Sequence, residues 1–234
     1  MCRLLGITHF DLCRHEALVE RFCNLALSGA VMAGDPPGHS DGWGLALYRE
    51  GKLEVHKSGG NLLDETDRLM GILQRTPSSP VLILHLRKSA WKDSSTARHA
   101  HPFHCGNVAF AHNGVVYGYE RLLPAITVPG LMPDALDTEV FFYHILSLAQ
   151  TRDLGKAFLD TVSLIKREHQ YSSLNTLFTD GHRLFAYRDF SKAPDYYTLF
   201  TARDHDSVCV VSEPISKTLL WTPMEQEKFL EIPA

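Results

Sequence analysis

A thiol stands at the second position of the chain, in the run Met1-Cys2-Arg3-Leu4-Leu5-Gly6-Ile7. Removal of Met1, which a small second side chain favours, leaves Cys2 with a free α-amine. Such an amine has a pKa of about 8, against about 10.4 for lysine, so part of it is unprotonated at neutral pH. It can take the proton of its own side-chain thiol, directly or through a water, which is how N-terminal nucleophiles are activated. While Met1 is retained that base is missing. Taken alone, an early cysteine in an apolar run is a strand residue, because free cysteine is among the most buried residue types.

Other residues must therefore decide. Asn113-Gly114 follows an apolar strand pattern, and by itself is the chemistry of a turn. Arg87 closes the run VLILHLR, where it reads as a charge at the end of a buried strand, and Asp137 in DALDTEVFF is well placed as a helix N-cap. Asp41-Gly42-Trp43-Gly44 opens another strand; its glycines allow close backbone approach, and Trp43 suits a pocket wall or core filling. The cluster RHAHPFHC brings His99, His101, His104 and Cys105 together, with His112 nearby, and such nitrogen and sulfur donors are those that hold zinc. A zinc-binding protein is the rival reading. The cluster lacks the two paired ligand spacings of familiar structural sites, so no metal ligand is assigned.

The elements that position these residues follow from hydrophobic periodicity. Behind a first strand, Leu18, Phe22 and Leu25 predict a helix over 14–28, stopped by Gly29. Two extended runs around Glu50-Gly51 predict a hairpin, and an amphipathic helix follows over 64–75. Strands are expected over 81–90 and 107–116, then a helical pair over 137–150 and 155–169. Asp180-Gly181 supplies the turn of the clearest hairpin, 173–190, and YYTLFTAR and SVCVVSEPI continue the sheet. Helices grouped between groups of antiparallel strands predict an α+β layered sandwich.

The chain has 234 residues, 44% of them hydrophobic, enough for one substantial core. Nothing in it reads as a linker, and the GDPPG stretch over 34–38 is explained as one loop, so one domain over 1–234 is expected. Basic residues number 23 and acidic 27, with no basic stripe, which excludes nucleic acid as the main partner. No leader-like start and no apolar run of about 20 residues occurs, so no membrane association is expected and the cytoplasm is the expected compartment. Five scattered cysteines, an odd number, read as reduced thiols.

Seven segments, in order, resemble those of the class II glutamine amidotransferases, members of the N-terminal-nucleophile (Ntn) hydrolase superfamily, and most of all their stand-alone members that begin Met-Cys. They are MCRLLGI at the start, HSDGWGLALY (39–48), HLRKSA (85–90), HPF (101–103), AHNGVV (111–116), DTE (137–139) and LNTLFTDG (174–181). The resemblance implies a four-layer αββα fold with two antiparallel sheets and makes Cys2 the nucleophile. It implies that the Asn113 amide and the Gly114 N–H form an oxyanion hole, in which one donor is typically worth about 3 kcal/mol. By the same resemblance Arg87 grips the α-carboxylate of glutamine or a γ-glutamyl compound, a task for a bidentate guanidinium, and Asp137 anchors the α-ammonium. His85, His101 and Trp43 are supporting residues, and no cofactor is called for.

Two departures bear on substrate preference. Many relatives continue HxRxAT, whereas here Lys88-Ser89-Ala90 follows Arg87, leaving Ser89 one position early and, on an alternating strand, on the wrong face. Arg98-His99 stands before HPF where an acid-amide pair is common. The expected activity is hydrolysis of glutamine or a γ-glutamyl amide through a γ-glutamyl thioester, because the chain has no evident second domain to use ammonia. A separate synthase subunit or a homo-oligomer remains open, and the non-enzymatic alternative is a degenerate domain kept as an interaction module.

Overall fold

A computed structural model describes residues 2–234. Among these residues the chain runs β1 (Arg3–Asp11), α1 (Leu12–Cys23), α2 (Leu25–Ser28), β2 (Trp43–Arg49), β3 (Lys52–Ser58), α3 (Thr66–Arg75), β4 (Ser78–Leu86), β5 (Phe103–Cys105) and β6 (Val108–Asn113). It continues through α4 (Asp137–Ala149), α5 (Leu154–Glu168), β7 (Asn175–Thr179), β8 (Arg183–Arg188), β9 (Phe200–Asp204), β10 (Ser207–Val211), β11 (Thr222–Pro223) and β12 (Lys228–Pro233). The strands form a seven-stranded sheet, β11-β9-β10-β1-β4-β2-β3, and a five-stranded sheet, β12-β8-β7-β6-β5. All ladders are antiparallel.

Side-chain parity builds the layers, since successive residues of a strand face opposite sides. In β1, Leu5 and Ile7 join the core shared with α1 and α3, while Leu4 joins the core between the sheets. In β4, Leu82, Leu84 and Leu86 go to the helix side and Val81 and Ile83 to the sheet side. In the second sheet, Phe110, Phe178 and Phe185 face α4 and α5, and Ala109, Ala111, Leu177 and Leu184 face the first sheet. The result is helix, sheet, sheet, helix. Small residues such as Ala46, Ala109, Ala111 and Ala186 between the sheets let them approach, and the aromatic cluster under α4 and α5 includes Phe178 stacked on Phe185 at 4.4 Å.

Several boundaries differ from expectation. The helix expected over 14–28 is two helices that meet at Asn24, and the first is capped by Asp11, whose carboxylate accepts from the Arg14 N–H. The strand expected to reach 90 ends at Leu86, and the one expected to reach 116 ends at Asn113. Both leave their sheets where they meet the pocket described below. The strand in YYTLFTAR begins only at Phe200. The terminal β12 was not anticipated: it is a short edge strand ending in proline, and only β8 supports it. Among the described residues no helix is long and apolar enough to cross a membrane.

Candidate active site

Cys2 stands one residue before β1 and shares the parity of Leu4; Asn113 ends β6 and shares the parity of Ala111. Both therefore face the gap between the sheets, and they meet there. The Cys2 backbone nitrogen donates to Asn113 Oδ1 at 3.0 Å. The other end of the same amide, Asn113 Nδ2, is buried without a protein partner. A buried donor left unpaired costs about 1–3 kcal/mol, so this one is poised for an acceptor. The Cys2 Sγ lies 3.5 Å from the Lys88 N–H, which donates to it, and the side chain is only 7% exposed.

Arg87 follows the end of β4 and is 4% exposed. Its N–H donates to the Gly42 carbonyl at 2.8 Å and its own carbonyl accepts from the Asp41 N–H at 3.0 Å, so the Asp41-Gly42 segment fixes its backbone. Nη2 donates to Ser94 Oγ at 2.9 Å, and Nη1 is buried without a partner. Burial pulls the guanidinium pKa down, opposed by the nearby Cys2, Asp41 and Asp137. The expectation that Ser89 is on the wrong face is replaced, because residues 87–90 lie outside the strand. Ser89 Oγ sits 2.7 Å from Ser94 Oγ, so its hydroxyl reaches Arg87 through Ser94.

Asp137 is the first residue of α4 rather than its N-cap; Leu136 takes the cap position. The carboxylate points away from the helix: Oδ2 accepts from the Val116 N–H at 2.9 Å and Oδ1 from the Trp91 indole Nε1 at 3.0 Å. Burial pushes its pKa up, against the opposing effects of His112, these two donors and the Thr138 N–H. The Trp91 ring in turn stands edge-on to Tyr119 at 6.0 Å. Trp91 and Ser94 are site residues that sequence reasoning missed. Each lies in a loop without periodicity, and only the fold aims it at its partner.

The histidines separate. His101 lines the pocket and packs at 4.5 Å against the ring of His85, which is fully buried with neither nitrogen partnered. Burial lowers the pKa of both well below the usual histidine range. His112 is held by Thr138 Oγ1 and the Ser173 carbonyl, while His104 is exposed. No three metal-ligating side chains gather among the described residues, so the RHAHPFHC cluster does not close into a ligand set. Trp43 is not a pocket wall: its parity with Leu45 sends it into the helix-side core. Gly114 does line the pocket, but the fold's demand on it is steric, because a Cβ there would stand 1.9 Å from the Ser173 carbonyl oxygen.

Cys2, Arg87, Trp91, His101, Gly114 and Asp137 thus border one pocket. Its cavity volume is about 30 Å³, room for about two waters at the roughly 15 Å³ that each requires. A larger groove of about 570 Å³ borders His9, Arg14 and Tyr48, but no thiol lines it. Among the described residues the smaller pocket joins a thiol, a guanidinium and a carboxylate, and the Asn113 amide adjoins it through its bond to the Cys2 nitrogen. Such a set can hold a zwitterion at one end and present a nucleophile at the other.

Residues 1–205 match the family model of the class II glutamine amidotransferases, and the chain belongs to that family. An uncharacterised protein of Methanocaldococcus jannaschii is 31% identical over 202 residues, 81% of this chain and 51% of that protein. The glutamine–fructose-6-phosphate aminotransferase (isomerizing) of Helicobacter pylori is 33% identical over 129 residues, 54% of this chain and 21% of the enzyme. This chain spans about half of one curated relative and about a fifth of the other. Among solved structures, a glutamine aminotransferase class-II domain protein from Silicibacter pomeroyi superposes with a TM-score of 0.68 at 21% identity, covering 100% of this chain and 95% of that one. The glutamine phosphoribosylpyrophosphate amidotransferase of Bacillus subtilis also gives 0.68, at 16% identity, with 99% of this chain and 47% of the enzyme covered. These likenesses show that the α+β fold with its two antiparallel sheets is shared with solved class II glutamine amidotransferases.

Proposed function

We propose that this chain, as one domain over 1–234, hydrolyses the γ-amide of glutamine or of a γ-glutamyl conjugate through Cys2. The observation that carries the reading is the divided Asn113 amide: its oxygen holds the Cys2 nitrogen and its unpaired Nδ2 is left for a developing negative charge. Removal of Met1, which lies outside the described residues, turns that Cys2 nitrogen into the α-amine that serves as base.

In this mechanism Arg87 takes the substrate α-carboxylate through its unpaired Nη1 and Asp137 the α-ammonium, which leaves the γ-carbonyl at Sγ. The amine accepts the thiol proton, Sγ bonds to the γ-carbon, and the oxyanion accepts from Asn113 Nδ2 and the Gly114 N–H. The protonated amine then gives its proton to the leaving nitrogen, which departs as ammonia or an amine. Water attacks the γ-glutamyl thioester with the amine again as base, and glutamate leaves. Hydrolysis of glutamine needs only this domain, while transfer of the ammonia would call on a synthase, as a further domain or a separate subunit.

The deciding experiment incubates protein of verified intact mass, lacking Met1, with glutamine, glutathione and a panel of γ-glutamyl amides. Glutamate release, with labelling of Cys2 by a glutamine-like electrophile, is the expected result. Absence of both from every substrate would instead leave an inactive interaction module.

A further inference from the structure

The charged residue nearest the proposed nucleophile in sequence, Arg3, has no place in the mechanism above, yet its side chain is only 1% exposed. A lone buried guanidinium is strongly unfavourable unless its donors are met. Here they are met in a pattern aimed at Cys2. Nη1 donates to the carbonyl of Cys2 itself at 3.2 Å, Nε to Glu213 Oε1 at 3.2 Å, and Nη2 to the carbonyl of Ala30. The guanidinium also lies over the Tyr196 ring at 4.8 Å. Glu213 completes the frame by accepting from the Ala30 N–H at 3.2 Å. Leu4, the next residue, is pinned on both sides by Ser212, through its N–H to Ser212 Oγ at 2.8 Å and its carbonyl to the Ser212 N–H.

Cys2 needs such a frame. The β1–β4 ladder begins at Arg3, paired with Leu86, so Cys2 has no ladder bond. Once it is the first residue, no preceding peptide restrains it, and the torsion between its Cα and carbonyl decides where both the amine and Sγ point. A carbonyl left to water would let that torsion relax, at a cost in reactive geometry that rises steeply with misplacement.

Resting on the reading of Cys2 as the N-terminal nucleophile, we propose that Arg3, held by Glu213, is a positioning residue: by donating to the Cys2 carbonyl it sets the torsion that aims the amine at Asn113 and the thiol at the pocket. Three anchors then fix one residue, namely Asn113 on the nitrogen, Arg3 on the carbonyl and the Lys88 N–H on the sulfur. The role is geometric, and Arg3 touches no substrate.

The test compares wild type, Arg3→Met and Arg3→Lys, each lacking Met1. Cys2 alkylation by iodoacetamide is followed from pH 5 to 10 by peptide mass mapping, which separates it from Cys13 and Cys105, alongside kcat, KM and melting temperature. Arg3→Met is expected to lower kcat by about 10² with KM changed less than about threefold, as expected for misplaced reacting atoms. It should also shift the midpoint of the Cys2 alkylation profile. Arg3→Lys, which keeps the charge but cannot serve three acceptors at fixed angles, is expected to fold and to fall between the two. The inference is overturned if folded Arg3→Lys has wild-type kcat and a wild-type alkylation profile, or if Arg3→Met loses only melting temperature. Failure of the underlying reading is distinguishable, because it appears as absent glutamate release by wild type, whereas the alkylation profile needs no substrate.

Discussion

The backbone nitrogen of Cys2 and the side-chain oxygen of Asn113 are joined at 3.0 Å across two different sheets, 111 residues apart in sequence. The contact orients the Asn113 amide: its oxygen is committed to Cys2, and its NH2 group is left buried without a protein partner.

Two substitutions separate the halves of that amide. Asn113→Ala is expected to lower kcat by about 10²–10³, the usual loss for one oxyanion donor. Asn113→Asp keeps an acceptor for Cys2 and replaces the donor by a carboxylate oxygen, so it should be at least as inactive towards amides. Alkylation of its Cys2 by iodoacetamide should nonetheless persist. Steady-state glutamate release measured beside alkylation checks both, and an active Asn113→Asp enzyme would remove the amide from the mechanism.

Arg87 and Asp137 should divide recognition of the substrate's two charges. Arg87→Lys keeps the charge but loses the planar fork, and is expected to raise KM for glutamine about tenfold or more with a smaller effect on kcat. Asp137→Asn should reduce the enzyme's preference for glutamine over its analogue lacking the α-amino group. Equal discrimination by wild type and Asp137→Asn would show that the carboxylate serves only Val116 and Trp91.

Trp91 places its indole N–H on the carboxylate proposed to receive the substrate ammonium. Trp91→Phe keeps an aromatic ring beside Tyr119 and removes that competing donor. A fall in KM of up to about tenfold is expected, equivalent to about 1.4 kcal/mol, just under the roughly 1.5–3 kcal/mol typical of one hydrogen bond to a charged group. An increased KM would mean that the indole orients Asp137 for its ligand.

His39 makes acid stability testable. Burial, assisted by the Arg3 charge, lowers its pKa to about 3, so the folded chain holds it neutral. An unfolded histidine titrates near 6.5, so between about pH 6.5 and 3 the unfolded state binds a proton that the folded state refuses, and stability falls on acidification. From pH 6.5 to 5 the loss is about 2 kcal/mol for this group alone. His85 and His101 act in the same direction. Replacing His39 by Asn should flatten the fall in melting temperature between pH 7 and 5, even though loss of its bond to the Leu25 carbonyl lowers the baseline. An unchanged slope would refute the assignment.

Much of the architecture was legible because period-two and period-3.6 patterns are local. The hairpin at Asp180-Gly181, the helical pair of α4 and α5 and the strand leading to Asn113 could be read from spacing alone, and four layers follow once alternate residues are both apolar. Where patterning stops, so does legibility. Residues 87–90 continue a strand on paper, yet the backbone leaves the sheet at Leu86 because Asp41 and Gly42 bind the Arg87 peptide groups instead. Trp43 was ambiguous in sequence and was settled by one parity relation with Leu45.

The sequence by itself determined the family resemblance, the order of the motifs and the identities of Cys2, Arg87, Asn113, Gly114 and Asp137 as residues to examine, because these depend on residue type and spacing. Tertiary structure decided which of them meet, which way the Asn113 amide points, and that Asp137 reaches Val116 and Trp91 beyond its own helix. It also brought in Ser94, Trp91 and the Arg3–Glu213 frame, whose partners lie up to 210 residues apart. The physical reason is that a hydrogen bond depends on distance and angle between atoms, and separation along the chain does not encode either until two sheets pack face to face.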